Sequence, residues 1–320
     1  MSHLRGESCM PLRLVRALGA AGASDCVATI GTFDGLHLGH RALLARVDEQ
    51  ARRLKCASMM ITFEPMPREF FAKDNPPARL TSFRERWRQL QKLPLDTMCA
   101  LRFASGLRDR SGEEFAELLR ATRVRHLVIG HDFRAGRNGE ATAQWFASEG
   151  SRFGFEVEIV PAVTLDGRRV ASSDVRAALA GGDFEQARRL LGRRYSMIGR
   201  VIAGQKLGRT LGFPTANLRL GRKRTPTDGI FAVRVLGIGG APRDGVASLG
   251  TRPTVNGTVP LLEAHVFDFN GDLYGREIEV EFVARLRDEL KFSSLDAMVV
   301  QMHRDAAQAR EILSREFISG

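Results

Sequence analysis

No apolar run in the chain approaches the roughly 20 residues needed to cross a bilayer as a helix. The first residues, Met1-Ser2-His3-Leu4-Arg5-Gly6-Glu7, are polar and of mixed charge, and no secretory apolar segment follows them. The cysteines Cys9, Cys26, Cys56 and Cys99 form no CxxC pair and no metal spacing. Free, reduced thiols in a cytoplasmic protein are the expectation, with no membrane partner. Internal repeats and low-complexity stretches are also missing. So are blocks of five or six consecutive basic residues and interleaved aromatic platforms, which leaves little for a nucleic-acid interface to use.

What is present is a chain of 320 residues, 43% hydrophobic and 27% charged. That composition belongs to a globular protein of roughly two domains. The formal charge of +11 admits three readings: an arginine-rich composition, ligands that carry several phosphates, or nucleic acid. Charge alone does not choose among them.

Up to about residue 190, short β-rich runs alternate with longer amphipathic stretches. Strands are expected at Val27–Ile30, Ser58–Phe63, Thr97–Phe103, His126–Gly130 and Phe155–Val160. Helices are expected at Arg41–Leu54, Phe83–Leu90, Gly112–Ala121 and Ala141–Glu149. This alternation predicts a doubly wound parallel sheet, an α/β domain over residues 1–190. A short helical pair ending at Leu191 serves as a linker. From Tyr195 to Arg287 the chain is β-rich and punctuated by Gly and Pro, which suggests a small barrel over residues 191–320, closed by a helix from Ser294 to Phe317.

The segment Ile30-Gly31-Thr32-Phe33-Asp34-Gly35-Leu36-His37-Leu38-Gly39-His40 lies between a strand and a helix, where an open α/β sheet presents its ligand crevice. Free backbone N–H groups and the positive end of the helix dipole favour phosphate there. His37 and His40, three apart, fall on one face, and Gly39 leaves room for a ligand to approach. Two imidazoles so placed can donate hydrogen bonds to a phosphoryl group that gains charge in an in-line displacement.

In the other half, Gly204-Gln205-Lys206-Leu207-Gly208 precedes Phe213-Pro214-Thr215-Ala216-Asn217. Gly204, Gly208 and Gly212 with Lys206 in one loop suit a cradle over phosphates. On an extended segment Thr215 and Asn217 point the same way. Their hydroxyl and amide oxygens are hard ligands suited to Mg²⁺. The same residues also suit a glycine-rich turn that leads into an ordinary strand.

With these motifs in order, the chain resembles the bacterial bifunctional riboflavin kinase/FAD synthetase family, whose first half belongs to the HxGH nucleotidyltransferase superfamily. Thr62-Phe63-Glu64-Pro65-Met66-Pro67, Gly130-His131-Asp132-Phe133-Arg134 and Val170-Ala171-Ser172-Ser173-Asp174-Val175-Arg176 resemble its other first-half motifs. GxxLGFPTAN, Gly250-Thr251-Arg252-Pro253-Thr254 and Leu262-Glu263-Ala264-His265 resemble those of riboflavin kinases. The resemblance implies phosphorylation of riboflavin to FMN, then adenylylation of FMN to FAD, with ATP as co-substrate, Mg²⁺ as cofactor, and ADP and pyrophosphate as products. It implies Glu263 as the base for the riboflavin hydroxyl and His37 and His40 as the catalytic pair of adenylyl transfer. Gly31, Phe33, Asp34, Gly39, Asp132, Ser172, Ser173 and Arg176 would bind nucleotide or flavin in the first half. Gly204, Lys206, Gly208, Pro214 and Arg287 would do so in the second, with Thr215 and Asn217 on the metal. Arg287 suits a simple surface ion pair equally well.

The chain departs from the family pattern at Thr32 and Ser248, where Asn is usual, at Met66 (His), at Ala135 (Phe) and at Ala171 (Ser). The loop 136–140 is shorter than usual. These changes leave open a riboflavin kinase whose adenylyltransferase half is impaired. Oligomeric state is not legible in the sequence.

Overall fold

The computed structural model of the protein describes residues 11–19, 24–72, 74–204, 208, 211–254 and 257–318. Two compact units result, one of Met1–Pro77 with Arg86–Val170, the other of Ala78–Glu85 with Ala171–Gly320.

The first unit is built on six parallel strands: β1 (Arg13–Val15), β2 (Cys26–Ile30), β3 (Ala57–Phe63), β4 (Thr97–Leu101), β5 (Val124–Gly130) and β8 (Glu156–Val160). Their order across the sheet is β1-β4-β3-β2-β5-β8. Two minor hairpins, β6 (Arg134–Ala135) with β7 (Ala141–Thr142) and β9 (Thr164–Leu165) with β10 (Arg168–Arg169), decorate it. Around these strands run α1 (Leu38–Leu54), α2 (Pro67–Phe71), α4 (Ser105–Arg108), α5 (Gly112–Ala121) and α6 (Ala143–Glu149). All five residues of β2 are buried. Cys26, Ala28 and Ile30 pack with Phe115 and Phe146 on one face, while Val27 packs with Val47 and Ala51 of α1 on the other. A parallel strand covered on both faces needs such an unbroken apolar run. From β2 the chain winds outward through β3 and β4, then crosses to β5 and β8 on the other side. The carboxyl ends of β2 and β5 therefore flank the point where strand order reverses, which is where open α/β sheets bind ligands.

The second unit is a closed antiparallel barrel of β11 (Ser196–Ile202), β12 (Ala216–Arg219), β15 (Gly257–Val266), β14 (Arg243–Thr254), β13 (Gly229–Leu236) and β16 (Glu277–Arg287), in that spatial order. Phe231 and Phe282 fill its interior, with Phe184 against both. Helices α7 (Ser172–Ala180) and α8 (Phe184–Leu191) precede the barrel. The terminal α9 (Leu295–Ile318) seats Ala309 and Leu313 on Ala232, Phe267 and Val283. Strand β1 is absent from the sequence reading; at three residues it is too short to show a period of two. The extended segment expected around Asn217 is the four-residue β12.

Helix α3 (Phe83–Leu90) begins with Glu85 wholly within the second unit's interior. Arg222 donates to its carboxylate from a guanidinium with no exposure. The Ile198 and Ser82 N–H groups add bonds of 2.7 Å each to Glu85. Arg222 also reaches the Tyr195 hydroxyl at 3.1 Å, and that hydroxyl donates to the Leu80 carbonyl at 3.1 Å. Burial works most strongly against the Arg222 charge, but Glu85 and Tyr195 together outweigh it and raise the guanidinium's pKa. Removing one member of a buried pair leaves the other charged and dry, at a cost of about 3–5 kcal/mol. Arg222→Ala should lose that much stability in denaturant melts, whereas Glu85→Leu combined with Arg222→Leu should fall closer to wild type. A single substitution costing less than about 1 kcal/mol would show that water already solvates the pair.

Candidate functional site

In the first unit the segment after β2 folds back tightly before α1. Phe33, Gly35 and Leu36 have φ of 50°, 87° and 47°, a left-handed run that two non-glycine residues adopt only under local constraint. The constraints are visible. Phe33 and Asp34 are buried, and a Cβ at Gly31 would stand 3.1 Å from the Phe33 ring. The Thr32 carbonyl accepts from Arg86 Nη1 at 2.6 Å and from Thr62 Oγ1 at 3.2 Å.

His37 is the N-cap of α1, with Nδ1 accepting the His40 N–H at 3.4 Å. With Nδ1 accepting, the neutral ring carries its proton on Nε2. The two imidazoles stack at 3.7 Å between centroids, and Phe33 lies 5.1 Å from His40. A Cβ at Gly39 would stand 3.2 Å from the His37 ring, so this glycine makes room for His37 itself. Burial first, then the neighbouring His37 and Arg86, push the His40 pKa well below 6.5. His40 is thus uncharged at neutral pH. Its Nδ1 is buried without a partner among the described residues. The first turn of α1 contains no acidic side chain, so its N-terminal N–H groups remain attractive to an anion.

Asp132 follows β5, next to β2 in the sheet, and is ion-paired to Arg169. Burial would raise its carboxyl pKa, but the Arg169 hydrogen bond and charge hold it below the ordinary range. Beyond β3 and β4 lies a group that the sequence reading missed. Phe63, Phe70 and Phe71 surround Phe103 at 5.4–5.9 Å, edge to face, with Phe71 66% exposed. The paired Phe70-Phe71 on a polar segment was the available signal.

Ser172, Ser173 and Arg176 sit on α7, which belongs with the second unit by its contacts. Ala171, not either serine, occupies the N-cap, and its N–H donates to Asp174 at 3.1 Å. Arg176 Nε donates to the Ala78 carbonyl at 2.7 Å.

The barrel opens a cavity of about 570 Å³ beneath α9, lined in part by Thr215, Asn217, Ser248, Glu263, Arg287 and Met298. Asn217 of β12 is paired with Glu263 of β15, and Glu263 with Ser248 of β14. Directly paired residues project to the same face, so the three form one row across the cavity wall. A Cβ at Gly204 would come within 2.6 Å of the Asn217 amide. Gly204 therefore lies directly against that side chain. Gly208 accepts the Phe213 N–H at 2.7 Å, and the Pro214 carbonyl accepts His265 Nδ1–H at 2.9 Å. Lys206 lies outside the described residues. Arg287 reaches the buried Asp305 of α9 through Nε at 3.0 Å and Nη2 at 2.6 Å, and the Asp288 carbonyl through Nη1 at 2.8 Å. Its donors are thus largely committed within the wall. A second cavity of about 620 Å³, reaching Tyr274 and Phe269, shares Thr215 with the first.

An FAD synthetase family model matches residues 20–174 and a riboflavin kinase family model matches residues 191–313. A bifunctional riboflavin kinase/FMN adenylyltransferase of Haemophilus influenzae is 40% identical over 93% of this chain and 98% of its own. The protein of that description from Pseudomonas fluorescens is 44% identical over 90% and 93%. The chain belongs to the bifunctional riboflavin kinase/FMN adenylyltransferase family. Both activities are group transfers, so this member is a transferase, and it carries both domains. A crystal structure described as a macrolide-efflux protein from Streptococcus pneumoniae matches with a TM-score of 0.79 at 31% identity, covering 92% of this chain and 97% of its own. That description is the other protein's. Among the described residues here, no helix is long and apolar enough to cross a membrane.

The lowered His40 pKa has a consequence for stability in this flavin-enzyme family member. An unfolded chain takes up the His40 proton near 6.5, which the folded chain resists. The unfolded state binds more protons below that value, so stability falls as pH drops through it. His40→Gln should flatten the fall of melting temperature between neutral and mildly acid pH. An unchanged slope would show that His40 protonates as readily folded as unfolded.

Proposed function

We propose that the barrel phosphorylates riboflavin at its 5′-hydroxyl with ATP, releasing ADP, and that the parallel-sheet unit joins FMN to the adenylyl group of a second ATP, releasing pyrophosphate. The row of Asn217, Glu263 and Ser248 carries the first half of this reading. It sets a carboxylate beside hard oxygen donors in a cavity large enough for a flavin ring. Glu263 would accept the hydroxyl proton as the oxygen attacks the γ-phosphorus. Thr215 lines both cavities, so flavin beneath α9 and nucleotide on the Tyr274 side would meet at the Thr215–Asn217 segment. Gly204, Gly208 and Lys206 serve the nucleotide phosphates on the family pattern. Pro214 holds His265 in the same wall.

Thr215 and Asn217 fit Mg²⁺: both offer neutral oxygens, which suits an ion that takes most of its ligands from phosphates and water. The Asn217 side chain lines the cavity and lies against Gly204. Bound there, Mg²⁺ would neutralise phosphate charge. Arg287, committed to Asp305, would shape the flavin wall more than it binds the ring.

In adenylyl transfer, His37 Nε2–H and the uncharged His40 would donate to phosphoryl oxygens as charge develops on them. Gly31, Phe33, Asp34 and Gly39 hold those rings in register. The exposed edge of the Phe63–Phe103 cluster is a stacking surface for the isoalloxazine, and Asp132 lies at the neighbouring strand end. A silent adenylyltransferase half is not favoured, because relatives that match nearly end to end are named for both activities. We place the work in the cytoplasm, where ATP and reduced thiols coexist.

A chromatographic time course with riboflavin, ATP and Mg²⁺ should show FMN rising first and then converting to FAD. Glu263→Gln should slow FMN formation about 10²–10⁴-fold, the contribution typical of a general base, and leave supplied FMN convertible to FAD. His37→Ala and His40→Ala should each slow FAD formation about 10²–10³-fold, as loss of a preorganised donor does, and spare FMN formation. FAD output unchanged in both histidine variants would reject the assignment of the HxGH site.

A further inference from the structure

Arg86 is wholly buried in the first unit, so it cannot meet a substrate, yet it touches the segment that carries both histidines. From α3 its Nη1 donates to the Thr32 carbonyl at 2.6 Å and its Nη2 to Glu64 Oε2 at 3.0 Å. Glu64 directly follows β3, and Thr62 of β3 donates to that same Thr32 carbonyl at 3.2 Å. The carbonyl therefore has two fixed donors from two different elements. The next residue, Phe33, turns into the left-handed region, and its ring rests against His40 at 5.1 Å. His40 in turn stacks on His37. A shift of the Thr32 peptide plane would pass through the adjoining Phe33 directly into the imidazole pair.

We propose that Arg86 is a positioning residue for adenylyl transfer, pinning the Thr32 carbonyl against Glu64 so that the turn presents His37 and His40 in working geometry. The proposal rests on the adenylyltransferase reading of this site. The charge of Arg86 has a second effect on the same group. After burial and His37, it is the third influence that keeps His40 uncharged. No other charged or titratable group acts on His40 to that degree among the described residues, and Glu64 faces Arg86 itself. One guanidinium thus serves both the place and the protonation state of a catalytic ring.

Full-length Arg86→Met, Arg86→Lys and Glu64→Gln would be assayed for FMN adenylylation across the acid-to-neutral range, with riboflavin phosphorylation followed in the same preparations. In Arg86→Met, kcat for FAD formation should fall about 100-fold, the scale of a displacement of about 1 Å at a reacting centre. KM for ATP and FMN should change little, because the residue touches neither. The acid limb of the pH profile should move to higher pH, since His40 loses a neighbouring positive charge. Arg86→Lys keeps the charge but not both hydrogen bonds, so its kcat should fall while its acid limb stays. Glu64→Gln should lower kcat in the same direction with the space still filled. FAD formation unchanged in Arg86→Met would overturn the proposal. So would a parallel loss of riboflavin phosphorylation in all three variants, which would mark a residue that only keeps the chain folded. Wild-type protein that makes FMN and no FAD would instead sink the underlying reading.

Discussion

A guanidinium taken out of water must be met by acceptors on several sides, because its charge cannot be titrated away. Each unit of this chain is organised around one that has no exposure. In the barrel unit Arg222 gathers Glu85, the Tyr195 hydroxyl and the Leu80 carbonyl. In the sheet unit Arg86 gathers the Thr32 carbonyl and Glu64. Neither arrangement survives loss of its acceptors, and each acceptor belongs to a segment with a job. Thr32 begins the turn into the histidine pair. Glu85 takes the Ile198 N–H of β11 at 2.7 Å, one of the strands that close the barrel. Satisfying one buried cation thus fixes backbone that apolar packing alone would leave free to slide.

The two reactions face the same difficulty, negative charge moving on phosphate, and the units meet it differently. The sheet unit offers a helix N-terminus with no acidic side chain in its first turn and, in His40, an imidazole kept neutral by burial and by its neighbours. Neutral donors strengthen as charge develops without holding the starting nucleotide too tightly. The barrel offers a row of oxygen groups across three paired strands, where register rather than helix geometry sets the spacing. β-Pairing holds the Asn217, Glu263 and Ser248 oxygens at fixed separation along that row.

Much of this was legible in the sequence because the signals were local. The period of α1, the apolar run of β2, the Phe83–Leu90 helix and the β-rich second half all express contacts within a few residues. The motifs were legible for the same reason: His37 and His40, and Thr215 and Asn217, are near neighbours in the chain. What stayed hidden depends on distant pairs. Glu85 and Arg222 are 137 residues apart, and Arg86 and Thr32 are 54 apart. No local pattern marks a buried arginine among so many exposed ones. The aromatic cluster likewise joins Phe63, Phe70, Phe71 and Phe103 only once β3 and β4 are side by side. Local reading showed Gly39 only as room for a ligand; that a Cβ there would also stand 3.2 Å from the His37 ring appears only in three dimensions.

The departures from the family pattern gain meaning from which atoms the fold employs at each position. Thr32 contributes its carbonyl, the acceptor for Arg86 and Thr62, so the identity of its side chain is secondary to that role. Met66 caps α2 through its own N–H, which donates to Glu69 at 3.1 Å. Ala171 does the equivalent for α7 through Asp174, and Ala135 packs against the apolar core beneath the sheet. At three of these four positions the main chain carries the structural role, which explains how the framework around the histidines tolerates them. Ser248 is different. It stands in register beside Glu263, with its side chain lining the flavin-sized cavity. A hydroxyl there is shorter than the usual amide and has one donor where the amide has two. Of all the departures, this one bears directly on the space and hydrogen bonding around Glu263, and it lies in the half whose motifs are otherwise the most intact.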